Sequence, residues 1–599
     1  MARTARGPAS GSRPNPPGVR TVENWYVRLD GSDLPDRLEV GGKAWSLARM
    51  RQLGLPTPPA FVLPTEVCRE YHRSGKELPE EAMAAVRRGI AYLEEETGRG
   101  FGARRRPLLV SVRSGSSISM PGMMDTVLNL GINDDVEAGL IKDGAPVELA
   151  ADTHRRFLAG FGDIVRKADL PDSMAPAADL RAEIRRATGR AVPSDPWEQL
   201  IEAVCAVLES WYSRRAVTYR RHADIPEDLG TAVTIQAMVF GNMSNDSGTG
   251  VLFSRDPVTG VREPYGEYLP GGQGEDVVSG VLDPLPLSEL KAQQPEIHRQ
   301  LIEAAELLEQ SNGDVQDIEF TVESGRLYLL QSRAAKRSPE AAVRLAVALA
   351  DEGLISRPEA LARVTPAQVT QMVRPQVDVR SAEESTVLAT GEAASPGAGV
   401  GVAVSDPEEV VRLAEQGSDV VFVARHTSPE DVGAMIAARA VCTEVGGSTS
   451  HAAVVCRGLG LPAVVGAGEG AIAAIAGKIV TVDGTHGRVH SGALSLVAAD
   501  DDPALATLGR WAAKLAGIEV SSTATGEVLD LDSAGVLDPA EVAAAVADAK
   551  VVSGAVLATE AGMGAALAAG IRDFVSTEPL PLLLAAVAAR RGVTRDVPK

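Results

Sequence analysis

Residues 446–466 read GGSTSHAAVVCRGLGLPAVVG, and TSPEDVGAM precedes them at residues 427–435. Two glycines lead through Ser448, Thr449 and Ser450 into His451, after which AAVVCR has the composition of a helix ending at Gly458. His451 is therefore expected at a helix N-terminus. Free backbone NH groups and the positive end of the helix dipole favour an anion there, and the glycines let a phosphoryl group come close. An imidazole is a nucleophile near neutral pH and passes an acquired phosphoryl group on readily. Taken alone, Thr-Ser-His is more simply a capped helix whose histidine packs against a neighbour.

Working outward, the short apolar runs VVFVA and KIVTV read as strands around this helix, giving a compact α/β segment over residues 388–498. Turn-rich stretches at residues 394–401 (ASPGAGVG) and 483–492 (DGTHGRVHSG) mark its edges. Residues 21–337 alternate strand-like runs, such as PLLVSVRS (107–114) and TAVTIQAMVF (231–240), with helical patterns. Within them, residues 151–222 repeat apolar positions at helical spacing and read as a helical insert. Residues 338–387 form a helical linker cut by Pro339, Pro358, Pro366 and Pro375. Residues 499–599 are Ala-rich, with helical stretches near 508–515 and 539–549 and little that looks like a site. The expected class is α/β and α+β multidomain.

The 599 residues suggest about four domains at roughly 150 residues each. With 45% hydrophobic and 23% charged residues, the composition is that of a folded soluble protein. Lys and Arg number 59 against 80 Asp and Glu, a net charge of −21 that argues against nucleic acid as a partner. Phosphate ligands then need local clusters of basic side chains and backbone NH groups. The four cysteines form no CxxC pair and fit a reducing, cytoplasmic setting. Cys442 and Cys456 flank the histidine motif and read as small core residues. Residues 1–20, with four arginines among Pro, Gly and Ser, read as a disordered tail without the apolar core of a secretory signal, and no later apolar run is fit to span a membrane.

Three further segments carry chemistry. SVRSGSSISMPGMMDTVLNLG (111–131) sets Arg113 at the end of a buried-strand pattern, where ligand groups tend to sit in α/β folds. EVGGKAWSLARM (39–50) puts Lys43 after Gly41 and Gly42 at the opening of a helical stretch, without the GxxxxGK[ST] of a P-loop. In QDIEFTVESGRLYLLQSR (316–333), alternation puts Asp317 and Glu319 on one strand face, and Gln331 and Arg333 share a face of the returning strand. Paired carboxylates that hold Mg²⁺ beside a neutralising arginine suit nucleotide phosphoryl transfer, and a salt-bridged hairpin is the plain alternative. The loop GNMSNDSGTGVLFSRDP (241–257) either covers phosphates with backbone NH groups or is an ordinary hairpin turn.

Together these segments resemble the pyruvate phosphate dikinase family over about residues 25–500. The resemblance implies an ATP-grasp nucleotide-binding domain, a helical linker and a swivelling phosphohistidine domain. It makes His451 the phosphocarrier and assigns Lys43, Arg113, Glu319, Gln331 and Arg333 to ATP, Asp317 and Glu319 to Mg²⁺, and Thr449 to regulation by phosphorylation. The implied reaction uses ATP, AMP, phosphate and pyrophosphate, with pyruvate as the family's acceptor. Val445 stands where the family usually has Arg, and Ser448 where it usually has Met. The family's next domain is a large barrel for phosphoenolpyruvate and pyruvate. Residues 499–599 are too few for such a barrel of about 250 residues, so a separate phosphoenolpyruvate/pyruvate-binding subunit is the expected partner. The competing readings are a phosphotransferase for another small molecule such as an antibiotic, and a catalytically silent ATP-binding regulator.

Overall fold

The computed structural model describes residues 25–118, 120, 123–170, 174–222, 225–278, 284–372, 376–459, 461–497, 502–523, 527–536, 538–576 and 579–595. The tail expected at residues 1–20 and Pro375 lie outside them. The chain divides into two units, the first made of residues 1–48, 59–119 and 124–238 and the second of residues 49–58, 120–123 and 239–599.

The first unit is built on an antiparallel five-stranded sheet in the order Val27–Arg28, Ala60–Leu63, Ala232–Ala237, Val110–Gly115, Thr126–Leu130. Ala60–Leu63 and Ala232–Ala237 are buried at every position, as expected for apolar runs covered on both faces. The helical region begins earlier than its sequence pattern suggested. Asp134–Lys142 and Val147–Ile164 precede Ala177–Thr188, Pro196–Ser210 and Arg214–His222. The early start follows from Asn133, whose side chain accepts from the Val136 backbone NH and caps a first turn rich in acids.

The second unit opens with another antiparallel sheet, in the order Leu285–Pro286, Tyr265–Pro270, Gly248–Phe253, Gln316–Glu323, Arg326–Ala334. Ser324 and Gly325 make the hairpin turn with φ of 49° and 73°, conformations that favour a residue without a side chain at the second position. The loop before Gly248 is an internally bonded turn, in which the Ser247 hydroxyl accepts from the Ser244 and Ser324 backbone NH groups. The prolines of the linker begin its helices: Pro339–Asp351, Arg357–Arg363 and Pro366–Met372 carry proline in the first turn, where the missing NH has no cost.

An eight-stranded mixed sheet follows, in the order Val387–Thr390, Arg488–Ser491, Ile479–Asp483, Ala398–Val404, Val420–Ala424, Ala440–Thr443, Ala463–Val465, Glu392–Ser395. Its central strands are parallel and buried on both faces. Val420 and Phe422 enter one apolar core, while Val421 and Val423 enter the other.

Residues 503–595 depart from the helical reading. Four short parallel strands, ordered Glu519–Ser521, Asp573–Val575, Val551–Ser553, Leu529–Asp530, alternate with helices. Strands of two or three residues leave too little alternation to show in an Ala-rich sequence. Their helices share one apolar core with the linker, through Leu345, Leu349, Leu361, Leu508, Leu584 and Val587.

A buried ion network ties the linker to the sheet before it. Arg255, with 1% of its side chain exposed, donates to Glu309 at 2.7 Å and to Glu352 at 2.7 Å. Arg255→Met leaves the buried Glu309 without this cation and Glu352 with only the exposed Arg262 at 3.6 Å, and the expected destabilisation is about 3–5 kcal/mol, read as a lowered urea midpoint.

Candidate functional site

The sequence-predicted residues fall into two groups, one in each unit. In the first unit, the helix Arg37–Gln52 is broken at Gly41, where φ is 77° and ψ 165°, so Lys43 stands at the start of a second helical run as the Gly-Gly-Lys pattern suggested. The strand Val110–Gly115 explains the glycine. A Cβ at Gly41 would lie 2.5 Å from the Gly115 carbonyl oxygen, and the Gly42 NH donates to the Ser116 carbonyl at 2.9 Å. The lysine-bearing turn is thus laid against the end of the strand that carries Arg113. Arg113 pairs in register with Thr126 and Thr234, and its guanidinium reaches the Gln236 side-chain oxygen at 3.5 Å. Gly41→Val combines an unfavourable φ with a backbone clash. It is expected to lower the thermal midpoint measured by calorimetry.

In the second unit, sheet register does most of the assembly. Arg333 pairs with Asp317, Asp317 with Phe253, and Phe253 with Tyr265. Two residues along, Gln331 pairs with Glu319, Glu319 with Val251, and Val251 with Glu267. Directly paired residues share a face, so both rows project from the same side of the sheet. The four hairpin residues converge as the alternation predicted: Arg333 Nε donates to Asp317 at 2.7 Å, and the Gln331 amide to Glu319 at 3.3 Å. Ile318 and Phe320 are fully buried on the opposite face. Burial pushes the Asp317 carboxyl up, against the opposing pull of Arg333.

This carboxylate pair suits a hard divalent cation. Asp317, Glu319 and the Gln331 amide offer oxygen donors on one face, and the Gln331 Oε1 is buried without a hydrogen-bond partner. Such a donor set matches Mg²⁺ held by carboxylates together with substrate phosphates.

His451 begins the helix His451–Leu459, one residue longer than its pattern suggested. Its Nδ1 lies 3.2 Å from the Thr427 hydroxyl, within the same eight-stranded domain. Its Nε2 is buried and has no hydrogen-bond partner. Burial depresses the imidazole pKa, and Asp431 and Glu430 oppose the shift, so the neutral ring is favoured. In the tautomer whose Nδ1–H donates to the Thr427 hydroxyl, the neutral ring presents Nε2 with its lone pair free.

The loop before His451 is held by the second unit's first sheet. Thr449 donates its hydroxyl to Glu267, and the Ser448 hydroxyl is 3.1 Å from Glu267. The Ser448 backbone NH donates to Glu392 at 2.9 Å, and Tyr265 touches both Glu392 and Ser448. Gly447 makes this approach possible, because a Cβ there would lie 2.4 Å from a Glu267 carboxylate oxygen. Arg457, fully buried on the histidine helix, lies over the Phe253 ring at 5.8 Å and donates to the Ala394 carbonyl at 3.1 Å.

Sequence reasoning overlooked Tyr265, Glu267, Glu392 and Arg457. The polar alternation of Tyr265 and Glu267 was a signal for the first two, whereas Glu392 and Arg457 become site residues only through packing. Thr427 stood in the quoted TSPEDVGAM segment without an assigned part. Val445, at the position where the family usually has Arg, donates its backbone NH to the Arg425 carbonyl at 3.0 Å. Cys442 and Cys456 are buried free thiols, and burial pushes Cys442 up to about 12, so neither is a reactive thiolate.

The family described as "Pyruvate phosphate dikinase, AMP/ATP-binding domain" matches residues 74–294, and "PEP-utilising enzyme, mobile domain" matches residues 416–487. "Pyruvate, phosphate dikinase" of Rhizobium meliloti (strain 1021) is 40% identical over 525 residues, covering 80% of this chain and 58% of the relative. "Pyruvate, phosphate dikinase 2" of Zea mays is 45% identical over 453 residues, covering 71% and 51%. "Pyruvate, phosphate dikinase" of Clostridium symbiosum is 38% identical over 540 residues, covering 84% and 62%. The chain thus spans between 51% and 62% of the length of these relatives. On these matches, the second of which takes in the histidine helix, the chain belongs to the pyruvate phosphate dikinase family.

Proposed function

We propose that this chain is an ATP-dependent phosphotransferase of the dikinase type, in which His451 carries the phosphoryl group. The observation that supports it best is the His451 ring, neutral, held at Nδ1 by Thr427 and free at Nε2. In this reading residues 21–337 are an ATP-grasp nucleotide-binding domain and residues 388–498 a swivelling phosphohistidine domain. Lys43 and Arg113 hold triphosphate oxygens. Asp317 and Glu319 hold Mg²⁺, which supplies charge neutralisation on the phosphates. Arg333 and Gln331 fix the two carboxylates in place.

In the first step His451 Nε2 forms a bond to the β-phosphorus of ATP as the bond between that phosphorus and the AMP oxygen breaks. The bonding pair leaves with AMP. Inorganic phosphate then takes the terminal phosphoryl group as pyrophosphate, and a phosphohistidine remains. Its acceptor in this reading is pyruvate, in keeping with the names of the relatives, which also favour this function over an antibiotic phosphotransferase or a silent regulator. The four free thiols fit a reducing, cytoplasmic setting.

The test is isotope exchange. With Mg²⁺, labelled AMP should be incorporated into ATP without pyruvate, because the first step is reversible on the enzyme. Absence of exchange under all conditions that preserve the fold would leave the silent-regulator reading in its place.

A further inference from the structure

The sheet that carries Asp317 and Glu319 meets a buried arginine at each of two boundaries, and the two are bonded differently. At the boundary with the linker, Arg255 donates from Nε and Nη2 to Glu309 and from Nη1 and Nη2 to Glu352. A guanidinium so bonded fixes what it joins. At the boundary with the histidine domain, Arg457 is 2% exposed and donates from Nη1 alone, to the Ala394 carbonyl at 3.1 Å. Its Nε and Nη2 are buried and meet no acceptor among the described residues. The bond to Ala394 lies within the histidine domain and moves with it. What the sheet presents to Arg457 is the Phe253 ring, whose centroid is 5.8 Å from the guanidinium carbon. The carboxylates nearby are committed elsewhere, Asp317 to Arg333, and Glu392 to Tyr265 and the Ser448 backbone NH.

We infer that Arg457 is a positioning residue that releases the histidine domain from the sheet: docking buries its guanidinium without acceptors for Nε and Nη2, so the side chain opposes the docked state. The reason is desolvation. A charged donor taken out of water without a replacement acceptor costs more than a neutral one, because the charge is buried with it. When the histidine domain leaves the sheet, water reaches Nε and Nη2 while the Ala394 bond stays. The contacts that hold the loop down are of the other kind. Ser448 and Thr449 donate to Glu267, and Tyr265 meets Glu392 and Ser448, so each hydroxyl there finds an acceptor. The field of Asp317 and Glu392 favours the Arg457 cation, but burial outweighs it and pulls the guanidinium below its ordinary value.

Arg457 and His451 are carried by one helix, His451–Leu459, so what Arg457 does to docking it does to the place of the nucleophile. The sign of its effect separates this role from plain packing. An apolar side chain of similar length removes the desolvation cost and still covers the Phe253 ring, so it should tighten docking. If Arg457 were only a packing contact, the same replacement would loosen it. The inference rests on the phosphohistidine reading for its consequence alone, that a histidine serving two sites has to leave the first; the docking equilibrium exists whether or not His451 is phosphorylated.

The experiment measures docking without chemistry. Ser448 is fully buried, and its hydroxyl meets Glu267 and Tyr265 of the sheet. In the full chain carrying Ser448→Cys, the thiol at this position therefore reacts with an aromatic disulfide reagent when the loop leaves the sheet. With reclosing faster than reaction, the labelling rate at that thiol, followed by peptide mass spectrometry, is proportional to the undocked population. Arg457→Met in this background should slow labelling by about tenfold. Arg457→Lys, whose ammonium is more strongly hydrated, should speed it. Arg457→Leu carries the test should the methionine variant misfold, as judged by circular dichroism. Unchanged or faster labelling in a folded apolar variant, or slower labelling in the lysine variant, overturns the inference and makes Arg457 a packing contact or a group satisfied by water inside the interface. Loss of AMP exchange in the unsubstituted chain, with the slower labelling of the apolar variant intact, would instead remove the phosphotransferase reading and leave the release role of Arg457 standing.

Discussion

Incubated with Mg²⁺ and ATP labelled in the β-phosphoryl group, the chain is expected to acquire an acid-labile, alkali-stable label, and His451→Ala to abolish it. The reason is geometric before it is chemical. Nε2 of His451 is buried and has no hydrogen-bond partner, and in the tautomer whose Nδ1–H donates to Thr427 its lone pair is free, as the proposed bond to phosphorus requires. No other described histidine combines a helix N-terminus with a glycine-rich approach: His490 is held by Ser385 on a strand, and His486 by Asp483 at 2.8 Å. ATP binding, measured by calorimetry, should persist in the alanine variant, since its proposed contacts are Lys43, Arg113 and the carboxylate hairpin. Because burial depresses the imidazole pKa, the labelling rate should hold as pH falls to the ordinary histidine range and decline only below it. Equal labelling of the alanine variant would remove His451 from the reaction.

The second large effect is expected at Glu319. Glu319→Gln keeps the shape of the side chain and its place opposite Gln331 and Val251, but gives up the negative charge. If the carboxylate helps hold Mg²⁺ on the phosphates, autophosphorylation should fall by about a thousandfold or more, which corresponds to roughly 4 kcal/mol of lost transition-state stabilisation. Added Mn²⁺ should recover part of the rate. The thermal midpoint should move little, because the side chain is only half-buried and its amide replacement can still bond Gln331. An unchanged rate would make Asp317, Glu319, Gln331 and Arg333 a salt-bridged hairpin and nothing more.

Both predictions stand on residues found without the fold, and the reason is local. The convergence of Asp317, Glu319, Gln331 and Arg333 requires only a two-residue period and a tight Ser-Gly turn, which are properties of neighbouring residues. The helix at His451 requires only a small-residue N-terminus and an apolar run, and it formed within one residue of its expected end. Lys43 and Arg113 were legible as single residues, but their closeness was not. It depends on Gly41 bringing the lysine turn against Gly115, a contact between segments far apart in sequence.

What the tertiary structure alone decided has a common cause, the pairing of distant strands and the packing of one domain's loop on another's sheet. Tyr265 and Glu267 join the candidate site because register across Gly248–Phe253 carries the rows of Asp317 and Glu319 two strands further. No local pattern encodes that register; it comes from the apolar face buried beneath and from the order of strands in the sheet. Arg457 and Glu392 gain their charge partners only once the histidine helix lies over Phe253. The small parallel sheet of residues 519–575 escaped notice for the opposite reason, since strands of two or three residues have almost no sequence period of their own and exist because neighbours complete their hydrogen bonds. The sequence by itself thus determined the helix that begins at His451 and the convergence of the carboxylate hairpin, which local periodicity encodes. The surface that holds the His451 loop was decided by tertiary structure, because burial and register are relations between segments rather than properties of any one of them.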